Sequence, residues 1–140
     1  MKYKFLEHTA DAKFQAFGKN LEEAFSNAAL ATFSVMTDCN KINPAIEKNI
    51  MVEGNDLHSL LYNFLEELLF LLDSEQFLLN KVKKLSINMI GGKYLLKAVL
   101  NGDTKQDKYE TKGEVKAVTY NEMEIMDKSN KAMVQVVLDL

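Results

Sequence analysis

Residues 57–72 read LHSLLYNFLEELLFLL and form the most apolar segment of a 140-residue chain. Leucine and phenylalanine recur along it at intervals of three and four, which predicts a helix with a broad apolar stripe facing a core. Asn55 or Asp56 is placed to cap its first turn. Its most apolar run, residues 60–72, includes two glutamates and is shorter than the roughly twenty residues that a membrane span needs. We therefore expect a buried helix and no membrane attachment.

A first helix is predicted upstream of this segment, over residues 21–36. Asn20, with a glutamate three residues later, resembles a capping box, and apolar residues then return at helical spacing. Residues 2–6 and 12–17 have the alternation of two short strands, and residues 46–53 predict a third strand between the helices.

Downstream of the second helix the pattern changes to strands. Gly91-Gly92 is the signal of a β-hairpin, and a second turn is expected near residues 127–131. The segments that flank these two turns are residues 82–89, 94–100, 114–126 and 132–139. This order of elements predicts an α+β fold, with two helices packed on one face of a largely antiparallel β-sheet. The length fits a single domain over residues 1–140.

Cysteine use and charge restrict the class of protein. The one cysteine, Cys39, cannot form an internal disulfide, which favours a reducing compartment. Residues 1–5 show no apolar leader, so a cytoplasmic location is expected. The net charge is −3 and all 17 basic residues are lysines. Because nucleic-acid binders usually present a basic surface rich in arginine, we expect no direct nucleic-acid binding.

The segment His8-Thr9-Ala10-Asp11 is the first candidate for a functional site. It connects the first two predicted strands, and strand connections often carry functional groups. Thr9 and Asp11 are also residues that simply form turns. The residues alone leave both interpretations open.

The end of the chain is the second candidate. Residues 132–138 read AMVQVVL, a buried strand that leads directly into Asp139 and the terminal residue Leu140. The Asp139 side chain and the Leu140 α-carboxylate place two anions close together, and such groups repel unless a proton or a cation lies between them. Oxygen ligands of this kind suit calcium, magnesium or manganese. A solvated acidic terminus is the alternative.

Several blocks in order make the whole chain resemble the archease family. The opening His8-Thr9-Ala10-Asp11 resembles that family's HTAD signature. The further blocks are Gly18 with LEEAF at 21–25, MTD at 36–38, LEELL at 65–69, EVKAVTY at 114–120 and VLDL at 137–140. One departure is Asn121, where archeases commonly carry a histidine.

The resemblance implies a function and a ligand set. Archeases are accessory proteins of the RtcB-type RNA ligase, which joins RNA ends in tRNA splicing and repair, and they promote its guanylylation with GTP and its multiple turnover. By resemblance, Asp11, Asp139 and the C-terminal Leu140 hold a calcium-type metal, while His8 and Thr9 shape the loop. Lys116 is either a charged contact to ligase or nucleotide, or a surface lysine.

The expected function is therefore that of a non-catalytic accessory factor with a divalent cation, first calcium and otherwise magnesium or manganese. One rival is a general chaperone or modulator of RNA-modifying enzymes, which would bind several clients. A second rival is a metal-dependent hydrolase, in which acidic ligands activate water. Direct RNA binding is a third, and the acidic balance opposes it.

Overall fold

The computed structural model describes residues 1–8, 11–104 and 106–140. Within these ranges the chain forms seven β-strands and two α-helices, with 3-10 turns at Cys39–Lys41 and Gln106–Lys108. The α-helices are α1 (Leu21–Ser34) and α2 (Leu57–Glu75). The strands are β1 (Tyr3–Leu6), β2 (Asp11–Gly18), β3 (Ile46–Gly54), β4 (Leu78–Ile90), β5 (Lys93–Asp103), β6 (Ala117–Lys128) and β7 (Lys131–Asp139).

Both helices begin at capped N-termini. The Asn20 side chain accepts a hydrogen bond from the Glu23 backbone N–H at 2.9 Å. At the second helix Asp56 and Ser59 form a reciprocal capping box, with distances of 2.7 and 3.2 Å. These bonds satisfy backbone donors that the first helical turn leaves free. The polar residues before each apolar stripe therefore fix where the helices start, as the sequence predicts.

The strands divide between two antiparallel sheets. One has the order β1-β2-β7-β6 and the other the order β3-β5-β4. The predicted antiparallel α+β fold is confirmed, but the strands form two sheets where the sequence analysis expected one. The pairing of β2 with β7 joins the two ends of the chain. Alternation shows which side chains share a face but does not identify the partner strand, so the sequence did not reveal this division.

Each helix contacts both sheets, so the helices do not pack on one face of a single sheet as the sequence analysis expected. Helix α1 packs against β2 and β4, and α2 packs against β3 and β6. The rings of Phe25 from α1 and Phe64 from α2 stack with their centroids 6.3 Å apart. One cluster of buried apolar side chains draws members from both helices and both sheets. Among the described residues no helix is long and apolar enough to cross a membrane.

Strand β4 begins at Leu78, four residues before the predicted start. Its register against β5 shifts between Leu79 and Lys81 and again between Val82 and Lys84. Such bulges place two successive residues on the same side of the strand. Leu78 and Leu79 precede both shifts and are nevertheless both buried, so no alternation of apolar and polar residues marks the start of the strand.

Strand β7 lies between β2 and β6 in the four-stranded sheet. Val134, Val136 and Leu138 belong to the main apolar core, whereas Val137 does not. Because neighbouring residues of a strand point to opposite faces, Val137 and Gln135 project from the other face. We call this the outer face of the four-stranded sheet. Asp11 and Asp139 lie at one end of it.

Candidate metal centre

The two acidic residues singled out from the sequence lie opposite each other in the fold. Asp11 is the first residue of β2 and pairs across the strands with Asp139, the last residue of β7. Cross-strand partners project from the same face, with Cβ atoms about 4.5–5.5 Å apart. Both side chains therefore point to the outer face, and the Asp11 side chain is 27% exposed. Like charges placed directly opposite destabilise a sheet unless a proton or cation compensates them.

The chain end is held beside this pair. The Lys116 backbone N–H donates a hydrogen bond to the Asp139 carbonyl oxygen at 2.8 Å, and Ala117 is the strand partner of Asp139 on β6. Leu140 follows directly and is 40% exposed. The α-carboxylate of Leu140 therefore follows directly after Asp139, which pairs with a strand on each side.

The donors available for a cation are few. Over residues 1–8, 11–104 and 106–140, no group of three or more histidine, cysteine, aspartate and glutamate side chains is arranged to hold a metal ion. The carboxylates of Asp11 and Asp139 form a pair, and the terminal carboxylate of Leu140 is the further oxygen donor that the sequence analysis assigned. This donor set fits a hard cation. Thr9 and Ala10 lie outside the described residues.

His8 also faces Asp11. Its Nδ1 atom lies 3.4 Å from Asp11 Oδ2, and its Nε2 atom lies 2.9 Å from Glu122 Oε2. The Nδ1 atom is buried without a hydrogen-bond partner among the described residues. The prediction for His8 was a role in shaping the loop. The geometry adds a direct contact with Asp11.

Glu122 is the residue at this site that sequence reasoning missed. Its carboxylate also accepts a bond from Lys13 Nζ at 3.1 Å, and its backbone carbonyl accepts one from Gln135 Nε2 at 2.8 Å. Hydrogen bonds from His8 and then Lys13 lower the pKa of the Glu122 carboxyl. No local pattern points to Glu122, because its partner His8 is 114 positions away.

The backbone brings Glu122 to this position through an irregularity in β6. From Thr119 to Glu124 on β6, the partner on β7 moves only from Val137 to Gln135. The extra residues loop out of register, and Glu122 adopts a left-handed φ of 52°. A non-glycine residue in that region is uncommon and costs roughly 1–2 kcal/mol.

Several other polar residues lie away from this pair. Asp38 caps the 3-10 turn through a bond from the Asn40 N–H at 3.0 Å, and it lines a polar cleft of about 810 Å³ at the end of α1. His58 is exposed in the first turn of α2, and Lys116 is exposed just before β6. Asn121 is exposed in the irregular part of β6, and its N–H lies 3.3 Å from Thr119 Oγ1.

Comparison with known proteins leads to the same family as the sequence motifs. The sequence profile of the Archease protein family (MTH1598/TM1083) matches residues 3–140. The chain belongs to the archease family. Protein archease of Methanothermobacter thermautotrophicus is 41% identical over 138 residues, which cover 99% of this chain and 98% of that archease. Protein archease of Methanosarcina mazei is 39% identical over 142 residues, which cover 99% and 96% of the two chains.

Solved structures of family members have the same fold. The solution structure of Methanobacterium thermoautotrophicum protein 1598 superposes with a TM-score of 0.85 at 40% identity, and it covers 99% of both chains. A crystal structure from Thermotoga maritima, described as an archease and possible chaperone, superposes with a TM-score of 0.62 at 18% identity. It covers 98% of this chain and 96% of its own. The second likeness concerns the fold alone.

Proposed function

We propose that this archease is a non-catalytic accessory factor of an RtcB-type RNA ligase. In this role it promotes the guanylylation and multiple turnover of the ligase through a divalent cation held by Asp11, Asp139 and the Leu140 carboxylate. The placement of Asp11 directly opposite Asp139 at the held chain end is the observation that supports this site. Calcium is the first candidate, and magnesium or manganese are the others, because all three donors are oxygens.

The cation would supply local positive charge where Asp11 and Asp139 place two acidic side chains opposite each other. Asp11 and Asp139 would share the ion, and the main-chain bond from Lys116 would keep the terminus beside them. A charged centre at an exposed sheet end can contact a partner protein or a phosphate group bound to that partner. We place the working complex in the cytoplasm.

The chemistry of Cys39 supports an accessory role over nucleophilic catalysis by this thiol. Its sulfur lies 4.0 Å from the Leu30 carbonyl oxygen. Burial, followed by the nearby charge of Asp38, raises its pKa to about 12. At neutral pH the thiol is therefore protonated, and the thiolate is the form that attacks substrates.

The test is an RNA-joining assay in which the ligase is limiting. With GTP and RNA ends in excess, wild-type protein should allow many products per ligase, whereas Asp11→Ala should give no more than ligase alone. Asp127→Ala is the matched control, because Asp127 is an exposed aspartate at the opposite end of β6. Full stimulation by Asp11→Ala would contradict the site, and absence of stimulation by wild type would contradict the ligase role.

A general chaperone or modulator of RNA-modifying enzymes is the second candidate, and an archease structure with the same fold is described as a possible chaperone. It predicts binding to several unrelated client proteins and protection of unfolding proteins without added ligase. Capture of the ligase alone from an extract would favour the ligase role. The isolated protein should shift no RNA in a gel, whereas a salt-sensitive shift would favour direct RNA binding.

A further inference from the structure

The three-stranded sheet has one face turned towards the apolar core and one turned away from it. Leu96 and Ala98 of the central strand β5 belong to the core. Because side chains alternate along a strand, Lys97 and Val99 project from the opposite face. We call this side of the sheet the open face. It consists of two rows across the strands, with Met51, Lys97 and Ser86 in one row and Asn49, Val99 and Lys84 in the next.

A groove of about 440 Å³ crosses the open face and is lined by both rows. Met51 is 62% exposed there, and Val99 is partly exposed. Isolated apolar side chains are common on protein surfaces, whereas apolar side chains grouped in a concavity are typical of binding sites. The groove therefore offers an apolar contact to a partner molecule.

The charged residues of the open face are two lysines. Lys84 and Lys97 lie in neighbouring rows on adjacent strands, where diagonal neighbours are about 7–8 Å apart. Within residues 1–8, 11–104 and 106–140, neither lysine forms an ion pair with the chain itself. Of the acids in the flanking rows, Glu47 and Glu53, the first already binds Lys83 at 2.6 Å. A chain with a net charge of −3 thus has a groove with uncompensated positive charge.

We propose that the open face binds an extended segment of a partner protein in which acidic and apolar side chains alternate along one side. In such a segment, residues two positions apart share a side and are about 6.5–7 Å from each other. The apolar side chain would enter the groove beside Met51, and the carboxylates would meet Lys84 and Lys97. This surface is independent of the proposed cation site, because Asp11 and Asp139 belong to the other sheet.

The charge and composition of the open face favour this occupant over two others. A second copy packed through the same face would bring lysines against lysines, and like charges placed across an interface are strongly unfavourable. RNA would be attracted by the lysines. However, the two rows that define the face contain no aromatic side chain on which bases could stack and no arginine.

The test titrates a short peptide with blocked ends, glutamate-serine-leucine-serine-glutamate, into the full chain. In an extended peptide this order places the leucine and both carboxylates on one side. Binding should shift the NMR amide resonances of β3, β5 and β4 and leave those of β2 and β7 unchanged. One comparison peptide has serine in place of leucine, and the other has lysine in place of both glutamates. Each should bind at least about fivefold more weakly.

Charge reversal at Lys97 tests the electrostatic part of the contact. Lys97→Glu should weaken binding of the glutamate peptide about tenfold or more, because like charges then meet, and should strengthen binding of the lysine peptide. Lys97→Arg should bind the glutamate peptide as wild type does. Lys128→Glu is the matched control, because it makes the same change of charge at an exposed lysine of β6. Equal weakening by Lys128→Glu and Lys97→Glu would overturn the docking surface, since only net charge would then matter.

Met51→Ser tests the apolar part of the contact. It should remove the preference for the leucine peptide over the serine peptide, which is the coupling that a double-mutant cycle measures. Because Met51 is exposed, circular dichroism and melting temperature should stay as in wild type. A full preference for leucine in Met51→Ser would overturn the groove as the apolar contact.

Two further measurements identify the other occupants. A uridine octamer that shifts the same resonances and binds more tightly than the glutamate peptide would make the open face a nucleic-acid surface. A wild-type dimer in sedimentation that Met51→Ser dissociates would make it an interface between copies. Either result, or no peptide binding by wild type, would overturn the proposal. None of these measurements involves the ligase or a metal ion, so their failure leaves the proposed function unaffected.

Discussion

The outer faces of the two sheets consist of the same kind of alternating antiparallel strands, but they differ in exposure. On the four-stranded sheet Val137 is 1% exposed although it lies outside the main core. On the three-stranded sheet β3-β5-β4, Met51 is 62% exposed and Ile90 is 60% exposed. The difference shows that one outer face is covered and the other is open to solvent.

The outer face of the four-stranded sheet also carries a network of hydrogen-bonded polar side chains. Glu122, on the irregular segment of β6, binds Lys13 and His8 and is bound through its carbonyl by Gln135. The hydrogen bonds within such a network hold long side chains in one arrangement. The network reaches the acidic pair at the end of this face through His8, whose Nδ1 lies 3.4 Å from Asp11 Oδ2.

The largest expected effect comes from introducing an aspartate on one outer face or on the other. Val137→Asp should lower the free energy of unfolding by about 3 kcal/mol or more, because it introduces an unpaired charge into a buried position. Met51→Asp should change it by no more than about 0.5 kcal/mol, as exposed substitutions usually do. Urea unfolding measures both variants. Equal losses would mean that the two faces do not differ as described.

A second prediction concerns the inward side of the three-stranded sheet. A Cβ atom added at Gly102 of β5 would overlap the Leu78 carbonyl oxygen and the Phe77 ring. Gly102→Ala should therefore lower the free energy of unfolding by about 1–3 kcal/mol. Thermal unfolding of Gly102→Ala beside Ser86→Ala, on the neighbouring strand β4, provides the measurement. A wild-type melting temperature for Gly102→Ala would show that the backbones are less closely packed than described.

The third prediction concerns the N-terminus of helix α2, which contacts both sheets. Hydrogen bonds from Ser59 lower the pKa of Asp56 below its ordinary value of 3.8. A lowered folded-state pKa gives stability that is complete above the ordinary value and is lost as the pH falls through the lowered one. The stability difference between wild type and Asp56→Ala should therefore be present at pH 7 and shrink in strong acid. Denaturant melts over that pH range measure it.

Asp56→Asn provides the control for this prediction, because asparagine caps a helix without a charge. Its difference from Asp56→Ala should vary little with pH. A difference between wild type and Asp56→Ala that stayed constant down to the lowest pH would contradict the role of the ionised cap.

The smallest expected effect is at Cys39, in the 3-10 turn that packs against β4. Because burial raises the thiol pKa to about 12, the folded protein should react slowly with iodoacetamide at pH 8. The same chain in denaturant should react at the rate of a free thiol. Mass spectrometry at fixed times compares the two states, and equal rates would contradict the burial.

Local features of the fold were predictable from the sequence, and distant contacts were not. Gly91 and Gly92 both adopt positive φ in the hairpin turn that two consecutive glycines predict. The Asn20 cap likewise needs only residues within one helical turn. The division into two sheets depends on the pairing of β2 with β7. These strands lie far apart in the sequence, and no local periodicity indicates that they pair.

The same limit applied to the site. Asp11 and Asp139 were assigned together because of a family resemblance, and the strand register then placed them opposite each other. Glu122 was not predicted, since a glutamate does not signal a left-handed backbone at its own position. A glycine or asparagine would have been such a signal. The contact with His8 follows only from three-dimensional pairing.

The most direct test of the account is a calorimetric titration of the untagged chain with calcium. We predict one ion bound per chain in wild type, and loss of that binding in both Asp11→Asn and Asp139→Asn with no change in circular dichroism. Asp127→Asn should bind as wild type does. Wild-type calcium binding by Asp11→Asn and Asp139→Asn would contradict the assignment of a shared cation to the paired carboxylates.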